Sequence, residues 1–415
     1  MTDHATTQPG ITYSGNGKRT ASKRGPVSPT LWTMLALANR FTVGQVLVQL
    51  PDGRKEWHGV EEGPAARLNI HDARVAKRLL SGGNVGFAES YMDGDWDSPD
   101  LAALLTIAAL NIQALDRSLR GSFLYRALSK LAHHRRRNTE KGSRENISHH
   151  YDLGNEFYRA WLDPSMTYSA GIFRSDSDTL EDSQANKYQR LADQLDLKPG
   201  HQVLEIGCGW GGFAEYAAKE RGATVRAITI SKEQKAFAEQ RIYEAGLTEK
   251  VTIDFCDYRQ LEGTYDRIAS IEMFEAVGQQ YWPVYFEKLN HHLSDQGSAA
   301  LQIITIADDQ FEEYIKRPDF IQRYIFPGGM LPSPEKLNAE FARAGLACSD
   351  WYNFGEGYAR TLEEWNARFQ TAWPKIKSET YDTRFKRMWD YYFAYCIAGF
   401  RAKTIDVCQV RLQKA

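Results

Sequence analysis

Residues 203–213 read VLEIGCGWGGF, a short apolar run that gives way to glycines at 207, 209, 211 and 212. A buried strand ending in glycines is the pattern of a ligand edge in an open α/β sheet. There the turn must be tight, a ligand can approach the main chain, and the next helix presents its free N–H groups. Gly207, Gly209 and Gly212 satisfy G-x-G-x-x-G, which alone leaves two cofactor classes open. A dinucleotide fold expects an acid about 20 residues further on, after the second strand, to hold a ribose. Thr229 and Ser231 stand in that region, which argues against NAD. Nucleoside methyltransferases that use S-adenosylmethionine share such a sheet and often carry an acid two residues before the first glycine, the place of Glu205. The absent acid after the second strand is unusual for many of these as well. A glycine turn that holds no ligand is the remaining reading.

The elements that must position this edge follow from periodicity. Strands are expected at 203–206, 224–229, 251–255, 267–271 and 298–305, with helices between them, for instance 212–220 and 232–245. That alternation predicts a parallel sheet covered on both faces. Segments 347–352 and 406–413 would complete it, with aromatic-rich helices between them. Upstream, 44–60 reads as a hairpin about a Pro-Asp-Gly turn, and 67–73 as a strand. Residues 97–115 read as a helix capped by Ser98 with Pro99 at its first position. The domain expectation is a tail over 1–28, a small α+β domain over 29–135, a basic linker over 136–148 and a catalytic domain over 149–415.

Bulk properties narrow the class. A chain of 415 residues exceeds one ordinary core. Hydrophobic content of 42%, charged content of 25% and a net charge of −2 fit a globular protein and give no global signal for nucleic acid. The five cysteines are odd in number and widely spaced, without a CxxC pair, so neither a disulfide framework nor a metal site is expected, and a reducing cytoplasm is the simple reading. The apolar run at 101–110 is half the ~20 residues that span a bilayer, so membrane contact would be peripheral. Segment 117–144 carries nine Lys or Arg against the single acid Glu140, interleaved with Leu, Phe and Tyr. It reads either as a solvated face or as a footing on anionic lipid headgroups.

Further stretches carry a resemblance: FAESYMDGDWD (87–97), HHYDLGNEFY (149–158), ITISKEQ (228–234), CDYR (256–259), MFEAVG (273–278), YIFPGGMLPS (324–333) and FGEGYARTLEEW (354–365). With VLEIGCGWGGF they form eight ordered blocks over residues 40–415 that resemble cyclopropane-fatty-acyl-phospholipid synthases, S-adenosylmethionine-dependent enzymes acting on unsaturated lipid chains. The resemblance implies a class I methyltransferase fold, a Rossmann-like mixed seven-stranded sheet, with a small α+β N-terminal domain that serves lipid engagement. It implies that Tyr168 and Ser169 reach the methionine part of the cofactor and that Gly207 and Gly209 line it. Thr229, Ile230 and Gln234 would meet the ribose region, Asp257 and Tyr258 would flank the adenine, and Glu275 and Tyr358 would lie beside the reacting carbons. Substrates would be unsaturated phospholipid acyl chains on the inner face of a membrane. A homodimer and a separate reductase are admitted as partners.

In that family ring closure relies on bound bicarbonate, held by a cysteine after Tyr-Ser, a histidine on the fifth strand, and the matches to Glu275 and Tyr358. Here Ala170 stands at the cysteine, Gln302 at the histidine, and Ala276 follows Glu275 where the family commonly has histidine. Glutamine can hydrogen-bond but cannot accept a proton near neutral pH. The expectation is therefore that bicarbonate binding is weakened or lost while methyl transfer survives, with a methyl- or methylene-branched product beside cyclopropane. Candidate proton acceptors are His149, His150, Glu275 and Tyr358. A lipid-binding protein without turnover and a methyltransferase for a soluble small molecule remain as rival readings.

Overall fold

The computed structural model describes residues 28–112 and 153–415. His149, His150 and the basic segment 117–144 lie outside them.

Seven strands form the large sheet: β5 (Gln202–Ile206), β6 (Thr224–Thr229), β7 (Val251–Phe255), β8 (Tyr265–Ile271), β9 (Leu293–Ile306), β10 (Leu346–Asn353) and β11 (Ile405–Lys414). Four more form a small one: β1 (Gln45–Gln49), β2 (Lys55–Gly59), β3 (Ala65–Ile70) and β4 (Trp96–Asp97). The large sheet runs in the order β10-β11-β9-β8-β5-β6-β7. From β9 through β7 neighbours are parallel, and β11 pairs antiparallel with both β9 and β10. Every strand expected in this sheet is present; central β5 and most of β9 are apolar and buried on both faces, whereas the edge strands β7 and β10 are partly exposed. This is the mixed seven-stranded sheet that the resemblance implies.

In the small unit, α1 (Pro29–Ala38), α2 (Arg74–Met92) and α3 (Leu101–Leu110) accompany the four strands. Helix α2 was not expected from sequence and breaks at Gly83 (φ +58°), a conformation glycine adopts without steric cost. The cap of α3 differs from the expectation. Asp100, not Ser98, accepts from the Ala103 N–H, and the Ser98 hydroxyl donates to the Asp100 carbonyl instead. A carboxylate at the N-cap position outcompetes a hydroxyl two residues too early. The helix stops at Leu110 because the buried Asn111 side chain turns to the 42–43 loop, accepting from the Thr42 N–H at 2.7 Å and donating to the Val43 carbonyl at 2.7 Å.

Helices α4 (Leu180–Gln194), α5 (Gly212–Arg221) and α6 (Lys232–Glu244) flank the parallel strands, and α7 (Gly355–Ile376) and α8 (Thr383–Arg401) precede β11. A reciprocal capping box, Thr179 with Asp182, starts α4. Left-handed glycines, Gly211 and Gly222, bound α5. Helix α8 joins the two units. Its Arg387 donates to the carbonyls of Tyr91 and Trp96 and lies 4.0 Å from the Tyr91 ring centre, and Tyr391, Phe393 and Ile397 share one apolar core with Val46, Leu68 and Trp96.

Candidate active site

A cavity of about 690 Å³ opens at the carboxyl ends of β5, β6 and β8. Residues 166–169, 205–210, 228–230 and 256–259 line one part of it. Its far wall is apolar and comes from the small unit: Met34, Leu35, Val46, Val48, Leu68, Phe87 and Leu104. Of the residues singled out in the sequence, Tyr168, Ser169, Glu205, Gly207, Gly209, Thr229, Ile230, Gln234, Asp257, Tyr258, Glu275 and Tyr358 all line this space. Gln302 lies one side chain away, bonded to the lining residue Glu272.

The glycines do not all serve a ligand. A Cβ on Gly207 would lie 2.5 Å from Met273 Cγ, and one on Gly212 2.5 Å from the Tyr188 hydroxyl, so the chain's own side chains exclude bulk there. Gly209 differs: its φ is +52° and nothing lies within 4 Å of an added Cβ. This is the glycine whose open side faces the cavity.

Glu205 is buried at the end of β5, and burial raises its pKa to about 8, against the pull of the Ala214 N–H and the charges of Lys187 and Arg241. Its Oε2 has no partner, and neither does the buried Tyr258 hydroxyl. The Gln234 amide oxygen accepts from the Thr229 hydroxyl at 2.9 Å, which ties the start of α6 to the end of β6. Gln234 is buried. Asp257 has the capping role: both its oxygens are taken by Arg259, through the backbone N–H and the guanidinium. Three of its roughly four lone-pair sites are thereby used, and one on Oδ2 remains for an outside donor. Open backbone at Gly209 and unpartnered buried groups at Glu205 and Tyr258 together fit a polar ligand of nucleoside and amino-acid character.

Deeper in the cavity the structure assembles residues that the sequence reading left out. Glu272, at the end of β8, accepts from the Ala170 N–H (2.8 Å) and the Gln302 side-chain amide (2.7 Å) on one oxygen, and from the Tyr358 hydroxyl (2.6 Å) on the other. Gln302 is itself held by Gln409 of β11 at 3.0 Å. Lys187 of α4 is fully buried, and its ammonium donates to the Ser169 hydroxyl at 2.6 Å. Burial lowers its pKa to about 7, opposed by Glu272, Asp163 and Glu205. Tyr168 donates to the Tyr392 hydroxyl at 2.8 Å. Glu275 accepts from the Ile304 N–H with one oxygen, and its other oxygen is buried without a partner. Burial first, and the Glu272 charge second, raise the Glu275 pKa to about 8. Near neutral pH Glu275 is therefore largely the neutral acid. The sequence placed the anion at 275; the donors are at 272. An acid at the carboxyl end of a central parallel strand was the available signal for Glu272.

Among the described residues there is no cluster of metal-ligating side chains, and no helix is long and apolar enough to cross a membrane.

The chain resembles known proteins over most of its length. It is 36% identical to tuberculostearic acid methyltransferase UfaA1 of Mycobacterium tuberculosis, over 92% of each chain. It is 38% identical to the cyclopropane-fatty-acyl-phospholipid synthase of Escherichia coli, over 83% of this chain and 87% of that one. Among solved structures, mycolic acid cyclopropane synthase CmaA1 complexed with SAH and CTAB superposes with a TM-score of 0.60 at 29% identity, over 65% of this chain and 98% of that one. The sequence profile of the mycolic acid cyclopropane synthetase family matches residues 138–410, and with these relatives it places the chain in that family of S-adenosylmethionine-dependent methyltransferases.

Proposed function

We propose that the protein transfers a methyl group from S-adenosylmethionine to the cis double bond of an unsaturated phospholipid acyl chain and releases a methyl- or methylene-branched chain. The cavity carries this reading. It runs without interruption from the glycine edge of the large sheet to the apolar wall of the small unit, so a polar cofactor and an aliphatic chain can meet inside it. When bound, the cofactor supplies an electrophilic methyl on a sulfonium. The protein's part is to hold the two partners in line and to exclude water that would capture the carbocation left on the substrate. Gly209, Glu205, Gln234, Thr229, Ile230 and Tyr258, which line the cavity, would hold the cofactor, with Tyr168 and Ser169 beside its methionine end. The rings of Tyr168, Tyr358 and Tyr392 line the cavity near the carboxylates, where their faces can stabilise a cation.

Ala170 and Gln302, in place of the cysteine and histidine of ring-forming members, favour the branched product. The basic segment 117–144 would seat the enzyme peripherally on anionic lipid at the inner face of the membrane, with residues 29–135 as the lipid-engaging domain.

The test is transfer from methyl-labelled S-adenosylmethionine to vesicles of cis-unsaturated phospholipid by the purified protein. Label is expected in the acyl chain. A cyclopropane and a methylene branch have the same mass, so ozone, which cleaves the exocyclic alkene and spares the ring, tells them apart. No label in lipid refutes the function; an ozone-resistant ring refutes the branched product.

A further inference from the structure

Glu272 is held by the fold in a way an ordinary buried acid is not. Its backbone is left-handed (φ +47°), a conformation that costs a non-glycine residue about 1 kcal/mol or more. The Glu272 N–H donates to the Gln302 carbonyl at 2.8 Å, which fixes that conformation beside β9. The result aims its carboxylate at three donors drawn from distant parts of the chain: the Ala170 N–H, the Gln302 amide and the Tyr358 hydroxyl. Donors alone surround it, so the arrangement suits the anion and not the acid. Burial raises its pKa above the ordinary carboxylate value, and these three donors and the charge of Lys187 offset that only in part. A carboxylate has about four lone-pair sites, and three are used, so one on Oε2 remains to receive a proton.

The same donors leave no room for an external anion. Ala170, Gln302 and Tyr358 occupy the positions where ring-forming relatives would seat bicarbonate, and here they are spent on Glu272. A second anion would also lie against Glu272 and beside Glu275, whose proton the Glu272 charge already helps to retain. Bicarbonate does not fit this site.

We propose that Glu272 is the built-in base of the reaction and takes the product-forming proton that bicarbonate would otherwise accept. The inference rests on the methyl transfer proposed above. In that reaction the methyl–sulfur bond breaks with its electron pair left on sulfur, and the alkene π pair forms the new carbon–carbon bond, leaving the neighbouring carbon positive. A carbon–hydrogen bond then gives its electron pair to the cation and its proton to Oε2 of Glu272. After a 1,2-hydride shift, loss from the new methyl group yields the methylene branch; without the shift it yields the ring. The proton passes to solvent after product leaves, and no oxidant or reductant is consumed.

The experiment compares the purified wild-type protein, Glu272→Gln and Glu272→Gly, with methyl-labelled S-adenosylmethionine and cis-unsaturated phospholipid vesicles, in buffer stripped of carbon dioxide and in buffer with added bicarbonate. Glycine is chosen because it relaxes the left-handed backbone and empties the space of the side chain. The wild type is expected to run at the same rate in both buffers. Glu272→Gln should bind S-adenosylmethionine normally by calorimetry yet lose activity by about 10²–10⁴-fold in both. Glu272→Gly should be slow without bicarbonate and regain rate with it, because the vacated donors can then hold the added anion; a merely structural role predicts no such rescue. A wild type that requires bicarbonate, or a Glu272→Gln protein as fast as wild type, overturns this inference and leaves the methyl transfer standing. A wild type that labels no lipid removes the function, and this inference with it.

Discussion

Two carboxylates three residues apart, Glu272 and Glu275, meet opposite fates in the same cavity. Three donors converge on Glu272, whereas Glu275 has one backbone N–H and an unpartnered oxygen. Like charges so close separate in proton affinity, and the one with fewer donors keeps its proton. The Glu275 pKa is raised from 4.5 to about 8 by burial and by Glu272. Between those values the unfolded chain releases a proton that the folded chain retains, so this group's contribution to stability is complete below pH 4.5 and is lost as pH rises through about 8. Glu275→Gln keeps the acceptor for Ile304 and cannot titrate. Its stability, followed by urea unfolding at pH 5 and pH 8, should fall less between the two than that of the wild type, by up to about 1.4 kcal/mol per pH unit. Parallel declines would show that Glu275 is ionised in the fold.

At the scale of elements, α8 is the joint. Its Arg387 satisfies the carbonyls of Tyr91 and Trp96 and covers the Tyr91 ring, and Arg384 pairs with Asp93 at 2.9 Å. These contacts bring the small unit's apolar wall against the site, so the same helix that completes the core also completes the cavity. Arg387→Met removes two charged hydrogen bonds to carbonyls and one cation–π contact while keeping the aliphatic stem. The expected cost is about 3 kcal/mol, read as a lower midpoint of denaturant unfolding. An unchanged midpoint would mean that apolar packing alone holds the joint.

For the whole molecule, the cavity accounts for the need for two units: the large sheet supplies a polar edge and the small unit an apolar wall. Under the proposed function, charge would bring a phospholipid chain to that wall. Nine basic residues over 117–144 would each add about 1 kcal/mol near an anionic surface. Replacing them with glutamine should abolish co-sedimentation with anionic vesicles, with the wild-type binding itself weakened by salt, and should leave S-adenosylmethionine affinity unchanged. Vesicle binding that survives the replacement would place the membrane contact elsewhere.

The strands of the large sheet and the glycine edge at 207–212 could be read from the sequence because each rests on local pattern: an apolar run, a turn residue, a helical period. Glu205 was singled out by its place two residues before the first glycine, whereas Gln234 and Tyr258 came from the family resemblance; all three line the cavity. Helix α2 was hidden by the Gly82–Gly83 pair, which reads as a loop until tertiary packing buries its flanks. That both Asp257 oxygens accept from Arg259 is visible only in the fold. Glu272 is the clearest case of what tertiary structure alone decided. Its donors come from residues 170, 302 and 358, and its aim depends on a left-handed backbone pinned to β9. Local sequence carries chain periodicity and turn chemistry, whereas the proton affinity of a buried carboxylate is set by groups that only folding brings within hydrogen-bond reach.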